Sequence, residues 1–412
     1  GYGTFERDIR PGITCPSTRL VVRDNVIDRG ETPSPSGVPD PEHPIPNPAR
    51  LGFFKPDDTV AGSLYWWNST DVRIDVPSTA PPKNQIASAD HVEVETCPIH
   101  VADCPAGTIR DADPQRGQAA RVYAQVNNMG LRAATNVRVT ALFADASTGL
   151  PALPADFWTT TFPAGSTTCG ALTTGSGWQF ADAANPCRLI PVVNPEFPET
   201  VQFDWNVPAA QAGHSCMLII VESTADPIQA SVRATNERRI AELVPNNRQI
   251  TLRNLHVIDA PPAPAGGASN AVEGMDASNS DRELRYIDLI VSRVDLPKDA
   301  TVGFLLPTRD GVEAEGARAE TIKLTASQQR LARELKVSSR AFYRITSCCE
   351  ARIRLPVPPG QTWRLGLVYD ARNIPVDTSA RVSVIAKQGD KVLGGNTYVI
   401  RPAGVPPRRS DR

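Results

Sequence analysis

The chain has 412 residues, of which 41% are hydrophobic and 38 are proline. That apolar share builds globular domains, two or three at this length, and excludes a disordered polymer. Proline well above its average share of about 5% breaks helix interiors and excludes a helix-rich fold. With 43 basic and 45 acidic residues interspersed to a net charge of −2, nothing marks a nucleic-acid or anionic-membrane partner. No apolar run reaches the roughly 18 residues that a membrane span requires.

Residues 1–85 read as a proline-rich N-terminal arm with a few strands. Arg19-Leu20-Val21-Val22-Arg23 predicts a strand, and the Pro/Gly/Asp/Asn-dense stretch Asp24 to Pro48 predicts a long loop. Ser63 to Trp67 and the alternating Val72 to Val76 supply two more strands. Asp24, Asn25, Asp28 and Asp71 are oxygen-rich residues near strand ends, where surface modules hold calcium and where Asp and Asn also simply make turns. Calcium is the one cofactor this leaves open; no other is expected. A chain beginning at Gly1 is expected of a processed, exported protein, and equally of a trimmed one.

Residues 86–260 predict a β-sandwich. Ala120 to Val126, Asn136 to Phe143 and Thr200 to Val207 alternate with period two. Cys216 to Val221 is a continuous apolar run, the pattern of a central strand buried on both faces, and Arg248 to Val257 closes the set. Val122-Tyr123-Ala124-Gln125-Val126-Asn127-Asn128-Met129-Gly130, followed by Ala134-Thr135-Asn136-Val137-Arg138-Val139, resembles the V-x-V-x-N-x-G pattern of bacterial cell-adhesion-related (CARDB-like) domains. Pro245-Asn246-Asn247 and Arg253 to Val257 resemble the last strand of such modules, so the resemblance covers residues about 115–260. It implies an immunoglobulin-like sandwich with an adhesive or assembly role and names no ligand. The chain departs from the pattern in long insertions between Leu150 and Asn194, which carry Trp158, Trp178, Cys169 and Cys187.

Residues 261–280 form a Pro/Gly/Ala linker, and residues 281–412 predict a second sandwich with one short helix and a basic tail. That helix is placed over Ala326 to Lys336, with Ser327 as its cap.

Eight cysteines, several in polar loops, point to disulfides and an oxidising compartment: secreted, cell-surface or periplasmic. Cys97 with Cys104, and Cys169 with Cys187, are the expected pairs, since each flanks a Pro- or Gly-containing loop. Cys97, His100 and Cys104, with His91 upstream, would also suit zinc, although the spacing matches no common zinc motif. Nucleophile elbow, zincin, Walker and dinucleotide motifs are absent. His214-Ser215-Cys216 sets neighbours on opposite faces of a strand, so general-base chemistry lacks players and no enzyme is expected.

Trp67, Trp158 and Trp178 are candidate interface residues, because a large aromatic in a loop is either buried or an anchor. The expected fold is therefore all-β: two tandem immunoglobulin-like β-sandwiches behind a proline-rich N-terminal arm. The expected role is a non-catalytic structural or adhesion subunit of an extracellular assembly. Its partners would be other protein subunits, itself included through strand exchange by the arm. The alternative is a carbohydrate-binding module protein, with a glycan stacked on the loop tryptophans. A metal-dependent hydrolase is a distant third.

Overall fold

The computed structural model describes residues 17–25, 27–36, 38–39, 63–67, 69–75, 114–145, 150–195, 197–209, 214–234, 240–256, 270–279, 282–294, 301–334, 336–337, 341–347, 350–370, 380–389 and 391–400. Of the expected linker, residues 270–278 are instead a strand, its Val272, Met275 and Ala277 buried as it pairs along Thr362–Asp370, while residues 261–269 and the basic tail 401–412 lie outside the described ones. Within them the protein is nearly all β, built from antiparallel sheets packed as β-sandwiches.

The first sandwich begins earlier than the sequence pattern indicates. Its strands are β1 (Leu20–Val21), β2 (Val38–Pro39), β3 (Ser63–Leu64), β4 (Val72–Asp75), β5 (Ala119–Asn128), β6 (Ala134–Ala144), β7 (Trp178–Phe180), β8 (Cys187–Val193), β9 (Glu199–Asn206), β10 (His214–Glu222) and β11 (Ile250–His256). One sheet sets β1 and β4 beside β5, with β9 also paired to β5; the other runs β11-β10-β6, with β7 and β8 both on β6. Residues 20–21 and 72–75, expected in a separate arm, are thus strands of this sandwich, while β2 and β3, among the described residues, form a two-stranded sheet of their own. Successive strands β5 and β6 belong to different sheets, so the Asn127-Asn128-Met129-Gly130 turn crosses between sheets and is not a hairpin. There the backbone of Thr18 presses on Gly130, where a Cβ would lie 2.6 Å from the Thr18 Cα. Only glycine lets the N-terminal segment pass so close.

Period-two alternation builds the interior. Val122, Ala124 and Val126 from β5 meet Val137, Val139, Ala141 and Phe143 from β6 and Met217, Ile219 and Val221 from β10. The intervening residues of β10, Cys216, Leu218 and Ile220, are also buried, on the opposite face. Strand β10 is thus covered on both sides, as its unbroken apolar run requires.

The second sandwich comprises β12 (Asn270–Ser278), β13 (Arg285–Val294), β14 (Thr301–Leu306), β15 (Glu313–Glu315), β16 (Ala317–Glu320), β17 (Ala341–Ile345), β18 (Glu350–Val357), β19 (Thr362–Asp370), β20 (Ala380–Gln388) and β21 (Lys391–Ile400). Its sheets have the orders β12-β19-β14-β17-β16 and β15-β18-β13-β20-β21 and enclose Leu289, Val291, Phe304, Ile353, Leu367 and Val384. A helix, Ala326–Glu334, covers the outer face of the first of these sheets, packing Ala332 beside Val272, Phe342 and Val368. Its cap is Thr325, not the expected Ser327. The Thr325 Oγ1 accepts the Gln328 N–H, and the Gln328 Oε1 accepts the Thr325 N–H, a reciprocal capping box.

A third core joins the sandwiches. Trp66, Trp67, Leu218, Ile250 and Leu252 pack in one cluster with Ile385 of β20 and the partly buried Ile290 of β13. The Asn254 Nδ2 donates to the Gly395 carbonyl of β21. A Cβ on Gly395 would stand 3.0 Å from the Trp67 ring. Trp67 is 1% exposed. Trp67→Ala should therefore cost about 3–5 kcal/mol. Differential scanning calorimetry will show the loss in the transition of both sandwiches, not of the first alone.

Candidate interaction surface

The structure places the sequence-selected residues unequally. Trp67, Trp158 and Trp178 are buried, 1%, 8% and 3% exposed. Of the two roles open to them, burial is the one observed, and none of the three stands exposed as an interface anchor. Tyr65 stacks on Trp67 at 4.5 Å and Trp66 meets Trp67 edge-on at 5.1 Å. These rings sit in a turn after β3, so strand alternation does not send one of them outward. The Trp178 indole donates to the Pro151 carbonyl at 3.0 Å, which satisfies its buried ring nitrogen.

Asp24 and Asp28 are buried together, 2% and 3% exposed. Among the described residues, no group of three or more histidine, cysteine or acidic side chains is arranged to hold a metal. Cys97, His100 and Cys104 lie outside the described residues. Cys216 is buried on β10, and its thiol donates to the Asn254 Oδ1 at 2.9 Å. Burial pushes that thiol above its ordinary range, which keeps it protonated.

The insertion between β6 and β8 is pinned by charge. Residues Phe157–Thr161 form a single π-helical turn, with Phe157 and Phe162 stacked 6.3 Å apart around Trp158. Glu222, the last residue of β10, receives Arg138 at 2.8 Å on one carboxylate oxygen and Arg233 on the other. The same Arg138 donates to the Pro163 and Thr168 carbonyls, each at 2.8 Å, and lies 3.6 Å over the Phe162 ring. Arg233 lies 5.1 Å over Trp158 and donates to the Phe162 carbonyl at 2.8 Å. Arg138 and Glu222 are 1% and 3% exposed at the side chain, where an unpaired ion is costly. A disulfide, Cys169–Cys187, ties the far end of the insertion to β8. Glu222→Gln removes the charge shared by both guanidinium groups and should cost roughly 3–5 kcal/mol. Urea denaturation checks the magnitude, and proteolysis between residues 150 and 187 checks that the insertion is what loosens.

Among the described residues, seven large apolar side chains are exposed, Leu284 and Tyr286 in the second sandwich and five in the first. Leu189 and Val192 on β8 are 46% and 38% exposed, Phe197 is 65%, and Met129 and Leu131 are 36% and 50%. Strand β8 is an edge strand, paired among the described residues with β6 alone. Ile190 and Val193 turn into the core, leaving Leu189 and Val192 outward. Phe197 sits in the β8–β9 crossing, and Met129 and Leu131 in the β5–β6 crossing. The Asn128 side-chain amide bonds both crossings together, donating to the Arg132 and Val193 carbonyls at 2.8 and 2.9 Å. Pro191 offers the edge no N–H, so contact here would be made by side chains and not by an added strand. Sequence reasoning missed this surface. Its signal was the Leu189 to Val193 run inside the insertion, disguised by Pro191.

The chain matches no protein-family model and no curated protein. Among solved structures it is similar to the CARDB domain of a Pyrococcus furiosus protein crystallised in complex with di-metal ions. That likeness has 11% identity, covers 36% of this chain and 87% of that one, and has a TM-score of 0.19. The collagen adhesin of S. aureus shows 8% identity over 69% of this chain and 87% of its own, with a TM-score of 0.15. A Salmonella alpha-2-macroglobulin mutant shows 10% identity over 71% of this chain and 16% of its own, with a TM-score of 0.16. Likenesses this distant carry no argument about function.

Proposed function

We propose that this is a non-catalytic structural or adhesion protein, a subunit of an extracellular assembly that acts through protein–protein contacts. The observation that carries the reading is the exposure of five large apolar side chains, Met129, Leu131, Leu189, Val192 and Phe197, on β8 and on the two crossings that flank the Asn128 bonds. A rigid scaffold presenting several large apolar side chains together is what a protein partner can desolvate. The insertion behind the patch is fixed by the Cys169–Cys187 disulfide and the Glu222 ion pairs, so the patch needs no ordering on contact. The disulfide also supports an oxidising location, hence export. The glycan alternative loses support because its tryptophans are inside the protein.

The partner we assign is a second copy of the chain. Sedimentation velocity should show reversible association in the micromolar range. Phe197→Asp should abolish it while leaving thermal stability within about 0.5 kcal/mol, as expected for an exposed site. A chain that stays monomeric at every concentration, or a variant that associates like the parent, sinks the self-assembly reading.

A further inference from the structure

The segment of residues 17–25 and 27–36 crosses the open side of the first sandwich as a strap that touches both sheets. Its β1 strand extends the sheet of β5. Its other bonds reach across: the Val22 N–H donates to the Arg248 carbonyl at 2.9 Å and the Ser34 N–H to the Pro245 carbonyl at 2.6 Å. The Leu20 N–H donates to Asp226, and Thr18 Oγ1 to the Ala225 carbonyl. At the centre of the strap are two buried carboxyl groups. The Asp24 Oδ2 accepts the Ser34 hydroxyl at 2.6 Å, and the Asp28 Oδ2 accepts the Asp24 N–H at 2.9 Å. The Asp28 Oδ1 accepts the Gly30 N–H at 2.7 Å. The Asp24 Oδ1 is buried with no hydrogen-bond partner.

The cations on the surrounding elements are directed elsewhere. Arg23 embraces Asp71 through Nε and Nη2, Arg248 pairs with Asp226, and Arg19 donates to the Gly30 carbonyl. Thr251 of β11 has one hydroxyl hydrogen, directed to the Arg23 carbonyl at 3.0 Å and within reach of the Asp24 carboxyl, where its effect is smaller than that of burial and of Asp28. Asp71 and Glu31 add only negative charge near the pair. Among the described residues, neither Asp24 nor Asp28 has an ion-pair partner. A carboxyl oxygen without a donor, beside a second carboxylate and out of water, is stable only when a proton neutralises it.

We propose that Asp24 and Asp28 form a proton-operated latch, which seals the strap across the sandwich when protonated and loosens it as the pH rises. Burial and the Asp28 carboxylate hold Asp24 well above the usual carboxylate range, and burial pushes Asp28 up to about 6. Folded, the pair therefore binds protons more tightly than the unfolded chain does. Its stabilisation is complete below the ordinary aspartate range and is lost as pH rises through about 6 and beyond.

The test is hydrogen exchange of the full chain, read by mass spectrometry at about pH 5.5 and about pH 8 and corrected for the intrinsic exchange rate. The opening equilibrium of strap peptides should rise roughly tenfold or more between the two, while peptides of β13 and β18 hold steady. Asp24→Asn combined with Asp28→Asn, neutral at both values, should erase that dependence. Equal strap protection at both pH values overturns the latch, and so does a pH dependence that survives in the double variant. If the variant does not fold, the wild-type strap against its own second sandwich still decides. A third arm adds calcium chloride to the wild type at the higher pH. Protection restored by calcium means that a cation and not a proton holds the pair, and overturns the proposal.

Discussion

A single carboxylate organises the first sandwich beyond its core. Glu222 ends a strand that has no solvent on either face, so its charge must be met inside the protein. The two guanidinium groups that meet it come from β6 and from the short helix Ala230–Arg233, 84 residues and 11 residues away in sequence. Both also donate through Nη atoms to carbonyls of the insertion and lay their planes on its aromatic rings. The insertion is thereby organised from below. Its phenylalanines and tryptophan become a roof over the outer face of β10, which is what lets that strand be apolar along its whole length. Arg138 and the apolar run of β10 depend on each other, and neither is intelligible alone.

The strands were legible because alternation is local. Val122 to Val126 and Asn136 to Phe143 carry their period in a few residues, and the run from Cys216 announces two-sided burial by itself. What was hidden is what closes over long distances. Leu20 pairs with Asn128, and nothing in the proline-rich stretch around it says so. The tryptophans were ambiguous for the same reason: a loop aromatic is an anchor or a core residue depending on what folds over it. Here Leu218, Ile250 and Ile385 fold over Trp67. Ser327 was a plausible cap by type, and Thr325 displaced it because only Thr325 has a glutamine three residues on.

The apolar patch and the acid pair occupy different parts of the same sandwich, yet the strap relates them. Ser17 accepts the backbone N–H groups of Leu131 and Arg132, so the strap starts against the crossing that displays Leu131. From there it runs past Gly130 to Asp24 and Asp28. A strap held in the middle by neutral carboxyl groups therefore also steadies one rim of the proposed contact surface.

The core shared by Trp67, Ile290 and Ile385 changes what the covalent linker means. Two domains joined only by a tether move apart when it is cut and can be made separately. Here a nick anywhere in residues 261–269 would leave two fragments still glued by their common apolar seam, migrating as one particle until denatured. The second sandwich made without the first would present bare Ile385 to water and precipitate or seek a substitute. The tether sets the order of the domains along the chain, and the seam sets how they travel.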